Sequence, residues 1–270
     1  MTISLPLPMP AGLDALGVLL DQVAERQRQD FGQLDSEAKA DGSLITACDR
    51  WSDATLVEGL ARLYPGEGVL SEEGSQSVPQ SEAFWVVDPL DGTTNFAAGI
   101  PYWAISLARF EDGVPVLGVL DVPPLRQRII AIRGGGAWRK HNKLEPPSAR
   151  NQVAGCASLC SRSIGVLQKL PNQRFPGKIR LLGVASLNLV SVAMGQTISA
   201  LEATPKIWDL AAAWLVLQEL NCPMAWLSRD PAQLRAGEDL SQANFPVLAA
   251  RDADTLALFK PWADALVSPA

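Results

Sequence analysis

Two aspartates stand three residues apart, Asp88 and Asp91, at the end of an apolar, β-prone run, Phe84-Trp85-Val86-Val87. A glycine, two hydroxyls and an amide follow at once, Gly92-Thr93-Thr94-Asn95. A buried strand that stops at Asp88-Pro89 delivers carboxylates to a sheet edge. The stretch after it reads as a turn opening a short helix, whose first N–H groups have no acceptor inside the helix. Hard divalent cations take carboxylate oxygens. Phosphate takes free N–H groups at a helix start. One short segment offers both. The plainer reading is a strand followed by a capped helix, with the aspartates as caps.

The run Trp85 to Phe96 resembles the first signature of the inositol monophosphatase family, Mg²⁺-dependent phosphatases of small phosphate esters. Three more stretches match in family order: Lys39-Ala40-Asp41-Gly42-Ser43-Leu44-Ile45-Thr46-Ala47-Cys48-Asp49, Ser71-Glu72-Glu73-Gly74, and Trp208-Asp209-Leu210-Ala211-Ala212-Ala213. Together they span nearly the whole chain. The resemblance implies an α/β protein of α+β layered type, an alternating α-β-α-β-α sandwich. It implies one domain over 1–270 with two lobes, about 1–150 carrying the metal and phosphate motifs and 151–270 selecting the substrate.

Phosphate monoester hydrolysis is among the slowest reactions in water, accelerated by enzymes up to ~10²¹-fold. The nucleophile must become hydroxide-like near neutral pH, and the leaving alkoxide must be stabilised. Paired divalent ions address both. Several carboxylates in one pocket repel strongly unless cations occupy it. By resemblance, one Mg²⁺ binds Glu72, Asp88 and the Leu90 carbonyl, and a second binds Asp88, Asp91 and Asp209. A third, weaker ion lies near Glu72. Asp49 and Thr93, with Glu72, are the catalytic residues, orienting and deprotonating the attacking water. Gly92 and Thr93 hold the phosphate through their N–H groups. Gly183, Ala185 and Glu202 contact the rest of the substrate. Lys39 is open between positioning Glu72 and simple exposure. Lys206 is open between contacting a second anionic group of the substrate and capping the turn after Pro205. Alone, Asp209 reads as a first-turn acid favoured by the helix dipole. The confusable alternative, a haloacid-dehalogenase-like phosphatase, places its two aspartates two apart. The three-residue spacing here argues against an aspartyl-phosphate intermediate.

The remaining composition narrows the field. Net charge of −6 argues against a general binder of nucleic acid or anionic membrane. Hydrophobic content of 47% with 19% charged residues is globular, not disordered. Met1 to Pro10 has no basic residue ahead of its apolar stretch, unlike a secretory signal. No apolar run reaches a membrane span. The expected location is cytoplasmic. Cys48, Cys156, Cys160 and Cys222 fit no zinc spacing, and Cys156 and Cys160 read as small core residues. The single histidine, His141, lies in a basic hairpin-like stretch and reads as a surface turn residue, which removes Ser-His-Asp chemistry.

Helical spacing predicts helices over 11–30, 50–64, 185–193, 207–220 and 253–266. Strands are expected at 69–71, 84–88, 103–109, 116–122, 129–132, 152–159, 179–182, 198–201, 223–227 and 246–250. Glu111-Asp112-Gly113 reads as a hairpin turn, and Pro146-Pro147-Ser148 as a linker.

The family pattern frays where substrate is chosen. Val184 stands where a hydroxyl residue is usual, Asn221-Cys222 where Gly-Gly closes the last signature, and Ala98 where a polar or basic residue is common. None of these is a proposed metal ligand. Inositol 1-phosphate is the first expected substrate. Histidinol phosphate, 3′-phosphoadenosine 5′-phosphate and fructose 1,6-bisphosphate are the alternatives. A non-catalytic phosphate-ligand binder or regulatory relative is the other class. Homodimerisation and lithium inhibition are further implications of the resemblance.

Overall fold

Alternation along the central strands places the core on both faces of one sheet. In the computed structural model, which describes residues 13–33, 36–39, 42, 44–148 and 155–268, the first described elements are α1 (Leu13–Asp30), the hairpin β1 (Ser36–Ala38) and β2 (Leu44–Thr46), and α2 (Ala47–Leu63). Next come β3 (Gly68–Ser71), β4 (Ala83–Asp91), the short helix α3 (Thr93–Ala97), β5 (Ala104–Glu111), β6 (Val114–Val122), β7 (Gln127–Ile132), β8 (Gly136–Arg139) and β9 (Asn142–Lys143). The strands β3 to β9 form one sheet in chain order, parallel only at β3–β4. The β5–β6 turn is tight because Asp112 and Gly113 both take positive φ, at 51° and 77°. His141 is an exposed turn residue between β8 and β9.

The rest of the chain supplies β10 (Cys156–Leu159), α4 (Val166–Lys169), β11 (Lys178–Arg180), α5 (Ala185–Ala193), β12 (Ser199–Glu202), α6 (Ile207–Glu219), β13 (Met224–Trp226), β14 (Val247–Ala250) and α7 (Ala253–Val267). Its strands make a second sheet in the order β11-β10-β12-β14-β13. Trp85, Val87, Ile105 and Leu107 pack against α1 and α2 on one face of the first sheet. Phe84, Val86, Ala108 and Phe110 face the other way, onto α5 and α6. The second sheet packs its Leu159, Leu201 and Leu248 against Phe259 and Trp262 of α7. The layers therefore run α1α2, first sheet, α5α6, second sheet, α7, the alternating α-β-α-β-α order expected. Small residues permit the closest layer contact. A methyl added at Gly118 of β6 would lie 2.9 Å from the Ala212 carbonyl oxygen of α6.

Most expected elements are present within a few residues. Ala40, Asp41 and Ser43 of the first motif, Met1 to Pro10, and 152–154 of the expected strand lie outside the described residues. α3 is the short helix expected after Gly92, while α4, β1, β2, β8 and β9 carry too few residues for a period to register.

One irregularity in the first sheet matters for function. Asp88 pairs with Ser106, but Asp91 pairs with Ala104, so three steps on β4 match two on β5. The extra residue makes a β-bulge at Pro89-Leu90, where a proline without an N–H costs no ladder bond.

Candidate active site

The bulge turns β4 so that Asp88 and Asp91 close the strand while Gly92 starts α3. Glu72 comes alongside because its N–H donates to Val87 O at 3.1 Å. Asp209, far away in sequence, arrives because Ser106, the cross-strand partner of Asp88, donates from Oγ to Trp208 O at 3.1 Å.

Each carboxylate has at least one oxygen already held. Asp88 Oδ1 accepts the Leu90 N–H at 2.9 Å. Asp91 Oδ2 accepts the Ser186 N–H at 2.7 Å, and its Oδ1 the Ala185 N–H at 3.4 Å. Asp91 thus caps α5, whose own N-cap Val184 has no side chain able to do so. Asp209 Oδ2 accepts the Lys206 N–H at 2.9 Å. Glu72 Oε1 accepts from Lys39 Nζ at 2.9 Å, and Lys39 also reaches Glu73. Among the described residues no donor is bonded to Asp88 Oδ2 or Glu72 Oε2.

Charge explains the tension of this arrangement. Burial, then the charges of Glu72, Asp91 and Asp209, push the Asp88 pKa well above the usual carboxylate range. Burial, then Asp91 and Glu72, do the same to Asp209. Burial raises Asp91 to about 6 against the pull of the α5 N–H groups. Burial also raises Glu72, although Lys39 opposes it. Burial works against the Lys39 ammonium, but Glu72 and Glu73 outweigh it and raise its pKa. Lys39 is therefore a partner of Glu72, not a free surface charge.

Among the described residues, no group of three or more acidic, His or Cys side chains stands closed around a common point, ready to hold a metal ion. The donor set nevertheless suits a hard dication. It is all oxygen, it repels itself, and it leaves carboxylate oxygens without donors.

A second constellation lies beside it. Asp49 sits in a capping box at the start of α2, where its Oδ2 accepts from the Thr46 N–H at 2.8 Å and from the Thr46 hydroxyl. Its Oδ1 lies 2.8 Å from Thr93 Oγ1, which is also 3.1 Å from Leu90 O. Both are acceptors, so the single Thr93 proton serves one or the other.

Gly92, at φ 104°, is the hinge of the site. A methyl there would lie 2.8 Å from Val184 Cγ2 and 3.3 Å from Tyr102 O. Gly92→Ala should cost about 2 kcal/mol through backbone strain and crowding. That corresponds to a Tm lowered by about 5 °C. A thermal melt indistinguishable from wild type would contradict it.

The cavity of about 250 Å³ next to these groups is lined by Asp91, Asp209, Gly183, Ala185, Asn188 and Glu202, with Cys160, Arg162 and Thr204 also on its wall. Glu202 is buried, and Asn188 Nδ2 donates to its Oε1 at 2.8 Å. Burial first, then Asp91, pushes Glu202 up to about 8. Gly183 follows Leu182, whose carbonyl accepts from Asn95 Nδ2 at 2.8 Å, while the same amide donates to Tyr102 O at 2.9 Å. Lys206 Nζ donates to Ser241 O at 2.7 Å. Cys160 is a cavity-lining residue as well as a packing one, contrary to the core assignment.

Two of the departures have local explanations. Val184 fills the space above Gly92. Asn221 takes φ 55° just past α6, the left-handed position that asparagine tolerates best after glycine. Asn188 and Gln27 are not marked by the sequence reading, and Asn95 is marked only as the amide that closes the run after Asp91. Gln27 left a legible trace, since it falls on the buried stripe Leu13, Leu16, Leu20, Val23, Gln27 of α1.

Comparison with known proteins adds an independent line. The model of the inositol monophosphatase family matches residues 12–255. A histidinol-phosphatase of Mycobacterium tuberculosis is 36% identical over 215 residues, 74% of this chain and 82% of that protein. A putative Nus factor SuhB of Neisseria meningitidis serogroup B is 33% identical over 232 residues, 81% of this chain and 87% of that protein. A solved IMPase/NADP phosphatase complexed with Mg²⁺ and phosphate superposes with a TM-score of 0.75 at 26% identity, covering 91% of this chain and 93% of that one. No helix among the described residues is long and apolar enough to cross a membrane.

Proposed function

Because the chain belongs to the inositol monophosphatase family, we propose that it is a Mg²⁺-dependent hydrolase of small phosphate monoesters, with inositol 1-phosphate as its first substrate and histidinol phosphate as its second. The observation that carries this reading is the mutual charge of Glu72, Asp88, Asp91 and Asp209, two of which, Asp91 and Asp209, line a cavity that also holds Glu202. Two ions would be held by Glu72, Asp88 and Leu90 O, and by Asp88, Asp91 and Asp209, with a third, weaker one near Glu72. When bound, Mg²⁺ supplies a lowered pKa for the attacking water and a stabilised leaving alkoxide.

The chain's own residues do the rest. Asp49 Oδ1 draws the Thr93 proton, so that Thr93 Oγ1 can accept from the attacking water and pass its proton on. The N–H groups of Gly92 and Thr93, at the start of α3, receive phosphate oxygens. Gly183 and Ala185 shape the cavity wall, and Glu202 receives hydroxyls of the leaving alcohol. The histidinol phosphate reading is favoured by the Mycobacterium tuberculosis relative. The protein is read as one domain of two lobes, acting in the cytoplasm as a homodimer.

Phosphate release from inositol 1-phosphate, histidinol phosphate, 3′-phosphoadenosine 5′-phosphate and fructose 1,6-bisphosphate, with Mg²⁺ and with a chelator, tests the proposal. The highest kcat/KM is expected for one of the first two, and none should be cleaved in chelator. Metal-independent release, or no release from any ester, would overturn it.

A further inference from the structure

We propose that Gln27 is a positioning residue for the Asp88–Leu90 segment, holding the peptide plane that aims the Asp88 carboxylate. The inference rests on the reading above that Asp88 and Leu90 O face the cation.

The bulge creates the need. Its extra residue has no cross-strand partner on β5, so a backbone carbonyl inside the protein lacks a ladder acceptor role. Such a group costs free energy unless something donates to it. Gln27 Nε2 does so, at 2.7 Å from Pro89 O. The Pro89 carbonyl and the Leu90 N–H are opposite edges of one rigid plane. Leu90 N–H donates to Asp88 Oδ1 at 2.9 Å. Gln27 therefore grips one edge of the plane and Asp88 the other. A rotation of the plane would break both bonds and release Asp88 Oδ1.

The amide of Gln27 cannot turn over. Trp103 Nε1, which only donates, lies 3.0 Å from Gln27 Oε1. That bond fixes Oε1 toward Trp103 and leaves both Nε2 hydrogens for Pro89 O and for Ser52 Oγ at 3.2 Å. Gln27 is completely buried, on the apolar stripe of α1. A leucine there would serve packing better, so the amide answers to the bonds it makes. Trp103 is itself clamped between Phe31 and Phe96.

The test is Mg²⁺ binding to the full chain by titration calorimetry, beside thermal melts. Gln27→Leu should weaken Mg²⁺ binding by roughly 10- to 100-fold, the usual loss when a partner of a metal ligand is removed. Trp103→Phe and Ser52→Ala each strip a different bond from Gln27 and spare the one to Pro89. They should lower Tm but keep wild-type affinity. Gln27→Met carries the same comparison if Gln27→Leu does not fold, since it is unbranched like glutamine and has no hydrogen to donate to Pro89 O. Wild-type affinity in both Gln27 variants overturns the inference. So does an affinity loss that follows Tm across all the variants, which is what a merely structural role would give. Asp88→Asn separates the two levels. If it binds Mg²⁺ like wild type, the reading of the site fails and the inference with it. If it loses Mg²⁺ while the Gln27 variants do not, the inference alone fails.

Discussion

Asp91→Asn is expected to lower Mg²⁺-dependent phosphate release by more than about 100-fold, beyond what loss of a ligand's partner costs. Asp91 stands at a junction, closing β4, capping α5 and lining the cavity. Asparagine can still accept the Ser186 N–H through its amide oxygen, so α5 stays capped. What disappears is a charge in the carboxylate cluster. Activity near wild type at saturating Mg²⁺ would remove Asp91 from the metal set.

The same substitution should have the opposite effect on stability without metal. Folding raises the Asp91 pKa to about 6 from an ordinary 3.8, chiefly by burial. The folded state thus binds the proton more tightly than the unfolded state does. That contribution to stability is complete below the unfolded pKa and is lost as pH rises through about 6. Asp88 and Asp209 are shifted in the same direction. In chelator, wild-type Tm should therefore carry a loss that builds as pH rises from about 4 to about 6, and Asp91→Asn should lack that part of it. Parallel curves for the two proteins would show that the Asp91 charge is not a burden to the metal-free fold.

How much of this was readable in the chain differs by element. The α-helix at 185–193 follows directly from its apolar spacing, and the β5–β6 turn from Asp112-Gly113. The pairing of Asp88 with Asp209 does not follow from local physics. It depends on Ser106 reaching Trp208 O between distant segments, and it was legible only as motifs in family order. Glu202 is legible through the family resemblance alone, and its partner Asn188 lies in an apolar helix with nothing local to mark it. Cys160 looked like packing because a cysteine beside a strand usually is, yet it lines the cavity. Lys39 could not be placed from sequence since its partners, Glu72 and Glu73, are fixed by the sheet and not by spacing. Gln27 shows the reverse case, a polar residue on an apolar stripe, readable in retrospect as a buried bond-maker.

Thr93→Val should lower kcat by about 10²- to 10⁴-fold, the range for removing a positioned proton-transfer group. Valine keeps the shape and branching of threonine at the first position of α3, so the turn at Gly92 should survive. The lesion is confined to one hydroxyl. That hydroxyl lies between Asp49 Oδ1 and the Leu90 carbonyl, within hydrogen-bond distance of both. Asp49 is otherwise saturated, since its Oδ2 serves the Thr46 cap. Oδ1 is therefore the oxygen left to receive a proton, and Thr93 is the group through which it would arrive. Mg²⁺ affinity, read by calorimetry, should stay close to wild type because all four carboxylates and Gln27 are untouched. Thr93→Ser should restore most of kcat, having the hydroxyl without the methyl. A kcat loss with intact Mg²⁺ binding would separate proton transfer from metal binding, which Asp91→Asn cannot do. Wild-type turnover in Thr93→Val would take the hydroxyl out of the reaction and leave Asp49 as no more than the cap of α2.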